Sequence, residues 1–486
     1  MDRSKFIFEN EISKKAYRKA VKNKAKYMRK YGDDGDKTFH LSCCPAPVIG
    51  DMLGVKNISL SNEPQIKFDN RSVIIGNIRM GFGHYRISMA MASAAKAMGY
   101  EPYWFDLHSF SDASCGKIIA HQNQLYSLGS KLSQMSELFN KIVWEPLNSE
   151  GFRKLSYNSA DQKAAELMTS VYRDLPKDIP FIATHVWPAQ AAVHAGLTNV
   201  VNAIPDNWPM ALHLSEGAIH TVQTPSSYIG YRALRGMEKG RALKPMPKSA
   251  IAYTGHYVDH ELVSNIEADC QKRIDRMKKG TAKRWLMSVG GAGAQKTIFV
   301  SVIRKLLPFI ESGEAVLFIN VGDHIRVWNE LKREIPQLSA VAVEHFDDFS
   351  ATAEFAERAY SGEVSGIHAF FHSDIFAAVY STNLLMRCSD VLITKPSELS
   401  FYPIPKLMIK RVGGHEAWGA IRSAEVGDGT YECTSPLETN AMLNLLQENG
   451  DIIEQMCGHI LTAHKAGIYN GAYRAVELAV RGRKNR

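Results

Sequence analysis

Gly81, Gly83 and His84 stand in the stretch GNIRMGFGHYRIS (76–88), directly after the apolar run Val73-Ile74-Ile75. The glycines either shape a tight turn or bare backbone amides for a ligand. The spacing puts an imidazole at the start of a helix, where the helix dipole disfavours its charged form. A neutral imidazole can take a proton from a hydroxyl. The competing reading is a histidine that caps the helix or packs in the core.

A second glycine loop, SVGGAGA, covers 288–294. Small residues at Gly290, Gly291, Ala292 and Gly293 would let backbone amides approach a phosphate at a helix N-terminus. A plain turn that packs a helix on a strand is the alternative. The spacing is not the dinucleotide GxGxxG, and no acidic ribose residue stands at the expected distance, which sets aside a nicotinamide oxidoreductase. A third stretch, 390–429, is the densest. Lys395, Ser397 and Glu398 follow an apolar strand at an expected helix N-terminus. Glu398 could accept bonds from two ribose hydroxyls, or simply be a favourable charge at a helix start. The pair Gly413-Gly414 then presents His415 and Glu416.

These residues need elements to position them. Strands are expected at 73–77, 103–106, 181–184, 199–204 and 219–223, with an amphipathic helix after His84 whose stripe is Ile87, Met91, Ala94, Ala95 and Met98. The pattern restarts with strands at 285–289, 315–321, 341–344, 391–394 and 406–409. Strand alternating with helix implies two parallel α/β sheets in tandem. Ligands of such sheets sit outside the carboxyl ends of the strands. Both glycine loops fall at such ends, so they would face one interdomain cleft. The expected divisions are 1–70, an extension with a basic helix; 71–255, a first domain; 256–283, a linker; 284–470, a second domain; and 471–486, a helix and basic tail.

A chain of 486 residues exceeds one ordinary core, which agrees with two domains. No apolar run approaches the roughly 20 residues of a spanning helix, and the N-terminus lacks a signal-peptide core. Seven cysteines, an odd number, suit reduced thiols in a cytoplasmic protein. The pairs His256/His260 and His368/His372 lack the glutamate of a zinc motif, so no metal is expected. The net charge of +8 is concentrated at 14–30, which holds nine Lys or Arg and no acid. That segment is either a solvated face or a peripheral contact for the anionic inner face of a membrane. Nucleic acid is disfavoured, because no interleaved aromatic and basic pattern recurs.

The segment GFGHYRISMAMASAAKAMGYEPYWFD resembles the amino-terminal motif of GT-B glycosyltransferases related to monogalactosyldiacylglycerol synthase, the processive diacylglycerol glucosyltransferases and the peptidoglycan-precursor N-acetylglucosaminyltransferase. The similarity continues through FIATHVWPAQAA, VVNAIPDNWPMALHL and LMSVGGAGAQ, and through the block SDVLITKPSEL to GDG. The resemblance implies two Rossmann-like domains facing a cleft. It also implies inverting, metal-independent transfer of a sugar from a nucleotide diphosphate donor, a UDP-sugar, with no resident cofactor. His84 or Asp206 would be the base, and Gly81, Gly83, His185 and His213 would lie on the acceptor side. Gly290 to Gly293, Lys395, Ser397, Glu398, His415 and Glu416 would bind the donor. The acceptor stays open, a lipid-linked one included. Pro396-Ser397-Glu398 replaces the family's glycine turn, and Gly419 stands where Asn is common. A sugar-nucleotide epimerase and a decayed nucleotide-binding protein remain as alternatives.

Overall fold

The computed structural model describes residues 2–79, 81–135, 150–289 and 295–484. It divides into two units. The first holds residues 1–259, 413–415 and 470–486, and the second holds 260–412 and 416–469.

The first unit opens with a short antiparallel ribbon, β1 (Phe6–Ile7) and β2 (Asn10–Glu11), and the basic helix α1 (Lys14–Tyr31). Its sheet contains β3 (His40–Pro45), β4 (Lys56–Ser61), β5 (Ser72–Asn77), β6 (Glu101–Asp106), β7 (Phe181–Ala183), β8 (Val200–Ala203), β9 (Ile219–Val222) and β10 (Ile251–Tyr253). The order is β10-β9-β8-β7-β5-β6-β4-β3, parallel except for the β3–β4 pair at one edge. Every residue of β5 is buried. A strand covered on both faces reads as a continuous apolar run, which is why Val73 to Ile75 signals it so clearly. Two strands at one end of this sheet, β3 and β4, lie within 1–70, the segment expected as an extension. In β3 the run Cys43-Cys44-Pro45 interrupts the alternation and blurs the strand signal. Helix α2 (Ile49–Leu53) joins them, and α3 (Phe82–Ala97) follows β5.

The second unit carries β11 (Lys283–Ser288), β12 (Ala315–Asn320), β13 (Ala342–Phe346), β14 (Gly366–Phe371), β15 (Val391–Thr394) and β16 (Lys406–Met408). The order is β13-β14-β12-β11-β15-β16, and every pairing is parallel. Both halves are therefore the α/β, Rossmann-like layers that the alternation predicts. Strands β10 and β14 lie outside the expected set. His368 lies in β14 and His372 beyond its end, so the four-residue spacing is not a helical one. The His368 ring packs instead among Phe318, His345 and Phe355, and its Nδ1 lies 3.1 Å from His345 Nε2.

The segment 256–283, expected as a linker, contains the helix Ile266–Lys279. The C-terminal helix Gly471–Lys484 belongs to the first unit, where it packs on α3 and on β7 and β8. Its Gly471 lies so close to the backbone that an added Cβ would stand 2.2 Å from the Gly255 carbonyl oxygen. The Arg474 guanidinium donates to Thr254 O at 2.9 Å.

Candidate functional site

Each sheet has a point where its strand order reverses. In the first unit the chain leaves β5 toward β6 and later returns to the other side of β5 as β7. Loops after two such strands part to opposite faces and leave a crevice between them. His84 follows β5, and Thr184 and His185 follow β7. The structure brings these residues together. His84 Nδ1 lies 2.8 Å from the Thr184 carbonyl oxygen. A carbonyl only accepts, so Nδ1 carries the proton and the basic lone pair of the neutral ring is on Nε2. The Ser88 hydroxyl, one turn on, donates to His84 O at 2.8 Å and lies 2.7 Å from Thr184 Oγ1. Gly81 caps α3 at φ +79°, where a side chain would be strained, and His84 is already inside the first turn. Gly83 lies one residue before it.

The His185 ring stands edge-on to His84 with centroids 4.8 Å apart. His185 also caps the helix Val186–His194, its Nδ1 accepting from Trp187 N at 3.2 Å. Burial holds the His185 pKa well below the ordinary histidine value, with the charges of His84 and His213 adding to the effect. It is therefore a neutral acceptor and structural cap.

Asp206 and His213 come from the loop after β8. His213 Nε2 lies 3.2 Å from Asp206 Oδ2, and His213 Nδ1 lies 2.7 Å from the Tyr231 hydroxyl. Burial acts to raise the Asp206 carboxyl. The His213 hydrogen bond and charge outweigh this, and with His415 and His84 they hold it well below the usual carboxylate range. His415, expected on the donor side, thus acts on Asp206 within the first unit, to which 413–415 belong. Gly413 makes room for its ring, since a Cβ there would stand 2.7 Å from His415 Cε1.

The loop that carries Asp206 and His213 is fastened from beneath by buried amides. Asn202 donates to His213 O at 2.6 Å, and Gln190 donates to Leu214 O at 2.9 Å. Asn158 donates to both Ala211 O and Leu214 O, at 2.8 and 2.7 Å. Sequence reasoning missed these residues and Tyr231. A polar residue in a buried strand, as at Asn202, was the available signal. Tyr231 has none, because an aromatic at helical spacing looks like core.

In the second unit the order reverses between β11 and β15. Gly290, Gly291, Ala292 and Gly293 follow β11 and lie outside the described residues. Lys395, Ser397 and Glu398 follow β15. The expected α-helix N-terminus is instead a single four-residue 3₁₀ turn, Glu398–Phe401, so no α-helix dipole acts on Glu398 there. Ser400 N closes the turn onto Ser397 O at 3.0 Å, and Pro403, two residues past its end, keeps the chain from continuing as a helix. The Lys395 ammonium pairs with Glu416, whose other oxygen accepts from Val412 N at 2.8 Å. Glu416 thereby organises the 412–416 turn. Lys296, just after the 290–294 loop, pairs with Glu334 at 3.4 Å and Glu330 at 3.8 Å.

Residues 6–233 match the family described as "Domain of unknown function (DUF6937)", and residues 246–480 match "Domain of unknown function (DUF6938)". No curated protein matches the chain. Similar solved structures include a UDP-GlcNAc 2-epimerase from Neisseria meningitidis bound to UDP-GlcNAc, at 11% identity and TM-score 0.46, covering 85% of this chain and 100% of that one. A glycosyltransferase from Rickettsia africae ESF-5 has 12% identity and TM-score 0.40, covering 86% and 100%. An alpha,alpha-trehalose-phosphate synthase (UDP-forming) from Burkholderia vietnamiensis has 10% identity and TM-score 0.43, covering 85% and 99%.

Proposed function

We propose that this chain is a sugar-nucleotide enzyme, a glycosyltransferase that moves a sugar from a UDP-sugar to an acceptor hydroxyl with inversion and without a metal. The observation that carries the reading is the His84–Thr184 contact at the strand-order reversal of the first sheet. It fixes an imidazole with its basic nitrogen on Nε2 where ligands of such sheets bind. His84 is the base in this reading. Asp206 is a weak one, because a carboxylate held so far into its ionised form gains little by taking a proton. Its role is to stabilise the imidazolium that His84 becomes. The donor diphosphate belongs at the matching reversal of the second sheet, between 290–294 and 395–398. Backbone amides there would offset charge on the leaving group, a task a metal performs elsewhere. Transfer requires the donor on the second unit and the acceptor on the first to meet during turnover. The likeness to the monogalactosyldiacylglycerol synthase group belongs to this proposal, as does a lipid-linked acceptor.

The gathering of His84, His185, His213 and His415 around Asp206 favours a second reading, a sugar-nucleotide epimerase, which needs several proton carriers and no acceptor. Thermal-shift measurement across UDP-, GDP-, TDP- and ADP-sugars and NAD tests the common ground, with a shift expected for a UDP-sugar. A shift with NAD alone would overturn both readings. Product analysis with and without added acceptor then decides between them. Turnover that requires no acceptor and yields an isomerised nucleotide sugar would replace transfer by epimerisation.

A further inference from the structure

One flank of the second unit carries a cavity of about 530 Å³ that the sugar-transfer reading does not use. Its floor is one face of the helix Lys296–Glu311, and its opposite wall is the first turn of the helix Pro436–Glu448. The size suits a small organic ligand. Two neighbouring i, i+4 rows of the first helix line it: Lys296, Val300, Arg304 and Thr297, Ser301, Lys305. Three of these are cations, and Glu334 is the acid that shares the lining. Glu334 is committed at one end, its carboxylate to Lys296 at 3.4 Å and its carbonyl to Arg304 at 2.9 Å.

What remains is a surplus of donors. Lys305 is half-buried and has no acceptor among the described residues. The Ser301 oxygen accepts from the Asn440 amide at 2.9 Å. Ser381 and Thr439, in other helices of this unit, return their protons to the carbonyl four residues back, at 2.7 and 2.8 Å. Ser301 makes no such bond among the described residues, so its proton is available to the cavity. Asn440 Oδ1 is buried and meets no donor. Either orientation of that amide leaves one of its polar atoms without a protein partner. Val300 and Pro436 supply apolar patches of the kind that cover the C–H face of a sugar ring.

We infer that this groove between the helices Lys296–Glu311 and Pro436–Glu448 binds a phosphorylated sugar, with the phosphate on Lys305, Arg304 and Ser301 and a ring hydroxyl on Asn440. An oxyanion answers the unspent cation and hydroxyl proton. A ligand hydroxyl answers the amide after a rotation about its terminal torsion. The ligand would be a small effector or a second substrate portion. The inference does not depend on the chemistry proposed at the strand-order reversals.

Isothermal titration of the full chain with glucose 6-phosphate, in saturating UDP so that any nucleotide site is filled, tests this. Saturable binding is expected, weakened at least about tenfold by Lys305→Ala, equivalent to ~1.4 kcal/mol. Asn440→Asp should weaken it similarly by placing a carboxylate beside the phosphate. Inorganic phosphate should bind more weakly than the sugar phosphate. Unliganded melting temperatures of both variants serve as the folding control, and Arg304→Ala replaces any variant that fails it. Absence of saturable binding in the folded wild type, unchanged affinity in the folded variants, or equal affinity for inorganic phosphate would each overturn the assignment.

Discussion

At the scale of single residues, the proposed reading divides the labour between His84 and Asp206 by environment. His84→Ala removes the proposed base while leaving the second unit untouched. It should lower turnover at least about 100-fold, with UDP affinity by calorimetry within about twofold of wild type. Unaltered turnover would remove the imidazole from the chemistry. Asp161 makes a separate prediction. It lies in the interior of the first unit, on the helix Leu155–Ala165, and its Oδ2 has no hydrogen-bond partner. Burial pushes its carboxyl up to about 8, with the Trp187 side chain opposing. A folded-state value above the unfolded one means the native chain keeps a proton that the unfolded chain releases above about pH 4. Stability should therefore fall as pH rises from about 4 to about 8. Asp161→Asn should flatten that slope, leave stability at pH 4 unchanged and raise it at pH 8 by on the order of 5 kcal/mol, measured by urea denaturation. The place of His84 at a helix start was legible in the sequence, because glycines mark where a buried strand ends. Asp161 was not, since a lone acid at helical spacing looks solvated until its neighbours are known.

At the scale of elements, strands with unbroken apolar runs declared themselves, while β3, β4, β10 and β14 did not. Continuous Val, Ile and Leu runs mark the former. His368 and Cys43–Pro45 blur the latter. The 395–398 segment misled for a different reason: lysine, serine and glutamate suit a helix start, but the turn they open stops at Phe401, two residues before Pro403. Helix α1 shows how tertiary packing changes an amphipathic reading. Its less polar side, with Ala20 fully buried, packs on the helix Leu155–Ala165, and Lys24 is drawn to Glu166 at 2.6 Å. Lys14, Lys15, Arg18, Lys19, Lys22, Lys26, Arg29 and Lys30 remain exposed. The apolar side is therefore unavailable to a bilayer, and any contact with anionic lipid is electrostatic. Sedimentation with phosphatidylglycerol vesicles should fall steeply between 50 and 300 mM salt, because screening tightens over that range. Salt-independent binding would point to insertion by some other segment.

At the scale of the molecule, the chain passes between the two units at 259–260, 412–413, 415–416 and 469–470. Sequence periodicity located two sheets but could not assign the last helix, because small residues such as Ala472, Ala475 and Ala479 fit many surfaces. All three are fully or almost fully buried against the first unit. Removing 471–486 should therefore lower the melting temperature by at least about 5 °C and cost activity, read by calorimetry and by the transfer assay together. A deletion that melts as the full chain does would show that this helix contributes little.

The same returning helix bears on how the protein is made. Residue 259 leaves the ribosome long before residue 471 does, about 10–40 s earlier at ordinary elongation rates of 5–20 residues per second. Through that interval the nascent first sheet has its apolar surface over β7 and β8 uncovered. It is then a substrate for chaperones, and a premature stop anywhere in the second half should yield an insoluble fragment rather than a working half-enzyme.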